Sequence, residues 1–173
     1  GFDCMGVALG IYSSVSLKRS NTTSIHVRGQ DAPRNKNNLV YRGAIAFYER
    51  AGKSVPSLEL RCLNRIPLSR GLGSSAAAIV GGFTAANALE GSPLSSEEVF
   101  SACAKMEGHP DNVAPAIFGG FQLVAQDKGA FVRAKFKAKR LQVQVPLLRF
   151  AVVAVETVVF QEGLQFPRLG PKG

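Results

Sequence analysis

The chain has 173 residues, 46% of them hydrophobic and 19% charged, with a formal net charge of +9. That apolar share supports an ordinary buried core for one domain or slightly more, and it excludes a disordered or fibrous chain. The positive balance suits an anionic partner such as a nucleotide triphosphate, although a solvated basic surface is the plainer explanation.

Residues 7–15 and 25–27 are apolar and rich in β-branched side chains, and both segments predict strands. Residues 29–38 are polar, contain Pro33 and read as a loop. Asn38 is placed to cap a helix to about Arg50, with Val40, Ala44, Phe47 and Ala51 at helical spacing and Gly52 as its stop. Leu58, Leu60 and Cys62 alternate with Glu59, Arg61 and Leu63, which predicts a strand exposed mainly on one face. A glycine-rich turn follows, and then a helix over residues 74–89 whose buried stripe is Ile79, Phe83, Ala86 and Leu89, stopped by Gly91 and Pro93. Ser95 and Glu98 fit a capping box for a helix to about Met106, with Val99, Cys103 and Met106 inward. Residues 107–115 are polar and turn-rich. Residues 121–125 predict a strand entered through Gly119 and Gly120. From Val132, alternation predicts another strand, with Val132, Ala134, Phe136 and Ala138 inward and Arg133, Lys135, Lys137 and Lys139 as a basic outer face. Residues 150–155 predict a short buried strand, and residues 161–173 an unpacked tail. Interleaved strands and helices give an α+β or α/β class, with one domain over residues 1–155 and a divergent tail over 156–173.

Cys4, Cys62 and Cys103 lie far apart without CxxC spacing, which argues against a disulfide scaffold or a zinc site and for reduced thiols in a cytoplasmic protein. No apolar run is long enough for a bilayer span, and no signal-peptide pattern is visible. Neither a Cys/His finger nor an aromatic ribonucleoprotein motif is present, so no nucleic-acid partner is predicted. Gly1 is not a natural start, and the chain reads as a fragment.

The most informative segment is Pro67, Leu68, Ser69, Arg70, Gly71, Leu72, Gly73, Ser74, Ser75, Ala76 and Ala77. Its glycines allow a sharp bend and a close backbone approach to a ligand. The helix that follows presents unpaired N–H groups and the positive end of its dipole, which suits a phosphate. The Walker pattern is absent, because no lysine follows the second glycine. Gly71, Gly73 and Ala76 satisfy a dinucleotide-type G-x-G-x-x-A, but that motif needs a strand running into its first glycine, and residues 64–70 intervene. A turn that merely packs a helix on a sheet is the plain structural alternative.

The pattern P-x-x-x-G-L-G-S-S-A-A resembles the phosphate-binding motif of the GHMP kinases, the group of galactokinase, homoserine kinase and mevalonate kinase. Glu107-Gly108-His109-Pro110-Asp111-Asn112-Val113-Ala114-Pro115, continuing through Gly120, resembles a signature of homoserine kinases. Gly1-Phe2-Asp3 is similar to the end of a third motif of that family. The resemblance covers about residues 1–125.

It implies a two-layer α+β fold with a left-handed crossover, shared with one ribosomal-protein domain, and ATP-dependent phosphorylation of the L-homoserine hydroxyl in threonine biosynthesis. It implies ATP held by residues 67–77, and Mg²⁺ by Ser74 or Ser75 together with Glu107. Asp3 matches the carboxylate that holds the substrate ammonium group. Asn112 matches a substrate contact whose amide can reach the reacting hydroxyl. His109 is a substrate contact or a turn residue. Asp111 is a site-shaping residue, a helix N-cap or, less in keeping with the family, a base. By the same resemblance the full-length protein is a homodimer, cytoplasmic, or chloroplastic if the source is a plant.

Two departures stand out. The Ser/Thr-Ala-Asn-Leu-Gly-Pro segment expected before Gly1 and most of a second α+β domain are not in the sequence. Where the family has Ser-Thr-x-x-Ala-Arg, this chain has Thr157-Val158-Val159-Phe160-Gln161-Glu162, without the arginine that grips the substrate carboxylate. Reduced or absent activity of the piece is the corresponding expectation. A mevalonate-type kinase, a non-catalytic nucleotide-binding remnant and a basic RNA-binding module are the alternatives, the last resting only on the cations of residues 133–140.

Overall fold

The computed structural model describes residues 3–68, 70–127, 129–136 and 152–157. The elements in chain order are β1 (Asp3–Arg19), β2 (Ser24–Gly29), α1 (Leu39–Arg50), β3 (Leu58–Asn64), α2 (Ser74–Leu89), α3 (Ser96–Glu107), α4 (Val113–Phe118), β4 (Phe121–Asp127), β5 (Ala130–Phe136) and β6 (Val152–Thr157). Together they form a mixed α+β domain.

The strands make one sheet in the order β2-β3-β1-β4-β5, with β6 pairing on β1. β1 is the spine. Its first residues pair antiparallel with β4, from Asp3 opposite Ala125 to Val7 opposite Phe121. Its last residues pair antiparallel with β3, from Ser14 opposite Leu63 to Arg19 opposite Leu58. Ser14 also stands opposite Glu156 of the parallel β6, so β3 and β6 flank it on opposite edges. β6 takes Glu156 and Thr157 into the sheet, past the predicted limit of residue 155. The predicted tail beyond Thr157, and Lys137, Ala138 and Lys139 of the predicted basic strand, lie outside the described residues.

Leu58, Leu60 and Cys62 point into the core, together with Val15 and Leu17 of β1 and Val27 of β2. The opposite face of that half-sheet carries Lys18, Glu59 and Arg61, joined as ion pairs. Helices therefore cover one face, which is the arrangement that alternating strands dictate.

α1 starts where predicted, with Asn38 Oδ1 accepting the Val40 and Tyr41 amides at 2.9 and 3.3 Å. α2 is buried far more widely than one stripe: Ala76, Ala77, Val80, Gly81, Gly82 and Ala85 are inside as well as Ile79, Phe83 and Ala86. It lies against α1 at a distance set by glycine. A Cβ on Gly82 would collide with the Val40 carbonyl oxygen, and one on Gly43 with that of Ile79. The Ser95–Glu98 capping box opens α3.

Two predictions fail here. Residues 113–118 form a helix, α4, whose first three residues fall in the stretch 107–115 read as turn-rich. The β5 alternation is also inverted. Arg133 stands opposite Val124, which is fully buried, so the arginine faces the helices. Val132 is 56% exposed instead. The guanidinium lies 3.3 Å from the centre of the Phe118 ring. Its Nη2 pairs with Glu97 of α3 at 2.6 Å. A cation–π contact and an ion pair let this charge take the inward place that the pattern reserved for valine.

Candidate active site

The glycine-rich turn lies between β3 and α2. Gly71 and Gly73 both have φ of +68°, the left-handed region in which glycine is at ease. Gly73 is the N-cap residue of α2 and offers no side-chain hydrogen bond to the first amides. The first helical bond runs from the Ala77 N–H to the Gly73 carbonyl at 2.9 Å. The amides of Ser74, Ser75 and Ala76 precede that bond and are the orphan donors of the helix start.

The side chains of the turn divide by exposure. Leu68, Arg70 and Gly71 are exposed. The side chains of Leu72, Ala76 and Ala77 are buried, and the Ala77 N–H is already bonded to Gly73. Ser69 lies outside the described residues.

Glu107 is the last residue of α3, and its Oε1 accepts a hydrogen bond from Ser75 Oγ. Of the two serines that open α2, the one whose hydroxyl meets the carboxylate is Ser75. Gly108 then reverses the chain in the left-handed conformation, with φ of +92°. The bend that follows is held by Asp111, whose Oδ1 lies 2.6 Å from His109 Nδ1 and accepts the Asn112 N–H at 2.9 Å. Asp111 is not the N-cap of the following helix: that position is Asn112, and its side chain makes no capping bond. The Asp111 carboxylate is turned back on its own bend. The Asn112 side chain is turned toward the glycine-rich turn. A Cβ on Gly73 would lie 3.2 Å from Asn112 Oδ1.

The start of β1 reaches the same region. A Cβ on Gly6 would collide with the Asp111 carbonyl oxygen and lie 2.6 Å from Pro115 Cγ. Asp3 is three residues earlier on this strand, paired through its backbone with Ala125. The helix start, the segment from Glu107 to Asn112 and β1 therefore converge from three distant parts of the chain.

Among the described residues no group of three or more His, Cys, Asp or Glu gathers as a metal cage. Ser75 and Glu107 offer one hydroxyl and one carboxylate, an oxygen set that suits a hard cation completed by phosphate oxygens and water. Two supports of the loop, Ser13 and Asn64, have no signature in the sequence, because one sits in a long strand and the other at a strand end.

Residues 38–120 match the family described as GHMP kinases N terminal domain. The chain belongs to the GHMP kinase superfamily. Relatives of this GHMP kinase domain include homoserine kinase of Carboxydothermus hydrogenoformans, 44% identical over 161 residues, covering 91% of this chain and 53% of the relative. Homoserine kinase of Synechocystis is 45% identical over 134 residues, covering 73% and 44%. A crystal structure of homoserine kinase from Cytophaga hutchinsonii superposes with a TM-score of 0.59 at 28% identity, over 69% of this chain and 41% of the other. The chain thus spans about half the length of the curated relatives it matches. Among the described residues no helix is long and apolar enough to cross a membrane.

Proposed function

We propose that this GHMP kinase domain serves a homoserine kinase, which transfers the terminal phosphoryl group of ATP to the side-chain hydroxyl of L-homoserine and yields O-phospho-L-homoserine for threonine biosynthesis in the cytoplasm. The observation that carries the proposal is the Ser75–Glu107 pair at the open start of α2, with Asn112 against Gly73.

Each residue has a task in that reaction. The orphan amides of residues 74–76 and the loop around Gly71 and Gly73 hold the phosphates through hydrogen bonds and the helix dipole. Ser75 and Glu107 hold Mg²⁺, which when bound supplies positive charge against the phosphate oxygens. Asn112 directs its amide to the reacting hydroxyl, and Asp3 binds the substrate ammonium group. Asp111 keeps the bend in shape, since its Oδ1 already serves two partners within it. His109, fixed through Nδ1, presents Nε2 to the substrate. Catalysis on this scheme is alignment and charge stabilisation more than proton abstraction.

A coupled assay of ADP release tests the proposal, with the polypeptide that carries this domain, ATP, Mg²⁺ and either homoserine or mevalonate. Phosphorylation of homoserine in preference to mevalonate is expected. Transfer to mevalonate alone overturns the substrate assignment, and ATP binding without transfer to either alcohol points to a nucleotide-binding remnant.

A further inference from the structure

The glycine-rich turn is held from beneath by residues outside its own motif. Ser13 Oγ donates to Asn64 Oδ1 at 3.1 Å. Each partner also takes an amide of the chain entering the turn: Ser13 Oγ accepts the Arg65 N–H at 3.3 Å, and Asn64 Oδ1 the Ile66 N–H at 3.2 Å. The Asn64 carbonyl oxygen accepts the Gln30 N–H at 2.8 Å. Gly29 leaves room for this contact, because a Cβ there would collide with that same oxygen.

Further along the turn, Ile66 and Leu72 fold under it. With Ala77 they form a small core of their own, packed on Leu9 and Ile11 and separate from the main cluster. Leu9, Ile11 and Ser13 are alternate residues of β1, so one strand supplies both the apolar seat and the polar clamp.

We propose that Ser13 and Asn64 are positioning residues for phosphate binding, a role that rests on the nucleotide reading above. A phosphate held by backbone amides depends on where the loop lies, because no flexible side chain can correct a displaced amide. A displacement near 1 Å is enough to cost about a hundredfold in a reaction that relies on alignment. The clamp fixes the last two amides before Pro67, Arg65 and Ile66, and the Ile66–Leu72 seat fixes the turn that follows. A residue with only a general structural role would weaken every ligand alike. A loop-positioning residue weakens the phosphate contacts and spares the nucleoside.

The test is calorimetric titration of the chain and of Ser13→Ala, Asn64→Ala and Ser13→Thr with MgATP and, separately, adenosine. Amide hydrogen exchange of residues 64–68 is followed without ligand. Ser13→Ala and Asn64→Ala should weaken MgATP about tenfold and leave adenosine within about twofold, while exchange at Arg65 and Ile66 rises. Ser13→Thr, which keeps the hydroxyl, should restore both. Equal losses for MgATP and adenosine, or unchanged MgATP affinity in Ser13→Ala, overturn the proposal. If the unmodified chain binds no MgATP, the nucleotide reading itself fails. Exchange then judges the clamp alone, and unaltered protection at Arg65 and Ile66 in Ser13→Ala removes it too.

Discussion

Ser75 Oγ donates to Glu107 Oε1 and joins the first turn of α2 to the last residue of α3 across 32 positions of sequence. The hydroxyl and the carboxylate face one another at the point where a helix start leaves three amides open. Glu107→Gln keeps the size and the hydrogen-bond acceptor but removes the charge that a divalent cation needs. In the polypeptide carrying this domain, kcat should fall by about 10²-fold, roughly 3 kcal/mol, and half-saturation should move to higher Mg²⁺. Ser75→Ala should do less alone, and the double variant no more than Glu107→Gln, because the two act as a unit. Initial rates across a Mg²⁺ titration measure both effects, and an unaltered Mg²⁺ requirement in Glu107→Gln excludes the carboxylate as a metal ligand.

The closeness of α1 and α2 leads to a stability prediction that opposes helix propensity. Alanine favours a helix interior over glycine by about 1 kcal/mol. At Gly82 the added methyl would meet the Val40 carbonyl oxygen, which is backbone and cannot swing aside. Forcing the helices apart should cost about 1–3 kcal/mol net, as overpacking does in a dense core. Gly10→Ala is the control, since no atom lies within 4 Å of a Cβ there and the change should fall within about 0.5 kcal/mol. Urea denaturation separates the two: the Gly82→Ala midpoint should drop with the slope unchanged.

At the far end of α2, the Glu90 side chain is 8% exposed and pairs with Lys53 at 2.8 Å and with Arg19. It also accepts the Tyr48 hydroxyl at 3.0 Å. The Lys53 hydrogen bond lowers the Glu90 carboxyl below its ordinary range; burial opposes this, while the Tyr48 hydrogen bond and Arg19 add to it. Because the folded value is the lower one, this carboxylate stabilises the fold above the ordinary carboxyl range. Its contribution disappears as pH falls through the depressed value. Tyr48 behaves in the opposite sense: burial, then Glu90, pushes its phenol up to about 12. That contribution is complete below the ordinary tyrosine value of about 10 and is lost as pH rises from there toward the raised one. Glu90→Gln should cost roughly 1.5–3 kcal/mol at neutral pH, the range for a hydrogen bond to a charged group. It should also flatten the acid limb, so the gap between the two proteins should close when urea midpoints are measured at successively lower pH.

Much of this arrangement could be read from the chain because its chemistry is local. Caps such as Asn38 and Ser95 act within a few residues, and the alternation of β3 answers to a core on one side only. The elements without a local signature answer to distant neighbours. α4 is six residues long, too short to show a period, and contains Pro115. That proline reads as a breaker, yet it is the third residue of the helix, where its missing N–H would have no partner anyway. The apolar pattern predicts a strand over residues 7–15, whereas β1 runs from Asp3 to Arg19. Gly6 is in place because the 109–112 bend passes directly over it. The two motifs of the candidate site are visible as strings of residues. Which of Ser74 and Ser75 meets Glu107 is not, since adjacent helical residues point about 100° apart and only the position of Glu107 separates them.

The inverted face of β5 gives the sharpest contrast between pattern and packing. Composition puts Val132 inside and Arg133 outside; the register with β4 puts Arg133 beside Gln122 and Val124. The guanidinium stacks on Phe118 and pairs with Glu97, tying β5 to both α3 and α4. Lys135, next but one on the same face, donates to the Phe118 carbonyl at 2.7 Å. Arg133→Ala loses a cation–π contact of about 0.5–2 kcal/mol and the stem packing beneath it, so a net loss of roughly 1–3 kcal/mol is expected. Arg133→Lys should recover only part, because an ammonium lacks the plane that lies over the ring. Val132→Lys should fall within about 0.5 kcal/mol of the unmodified chain, since that side chain is 56% exposed. The alternation-based assignment makes the reverse forecast, a harmful Val132→Lys and a harmless Arg133→Ala. Urea midpoints of the three variants decide between the two registers, and the reverse order would mean that β5 pairs one residue out of step with β4.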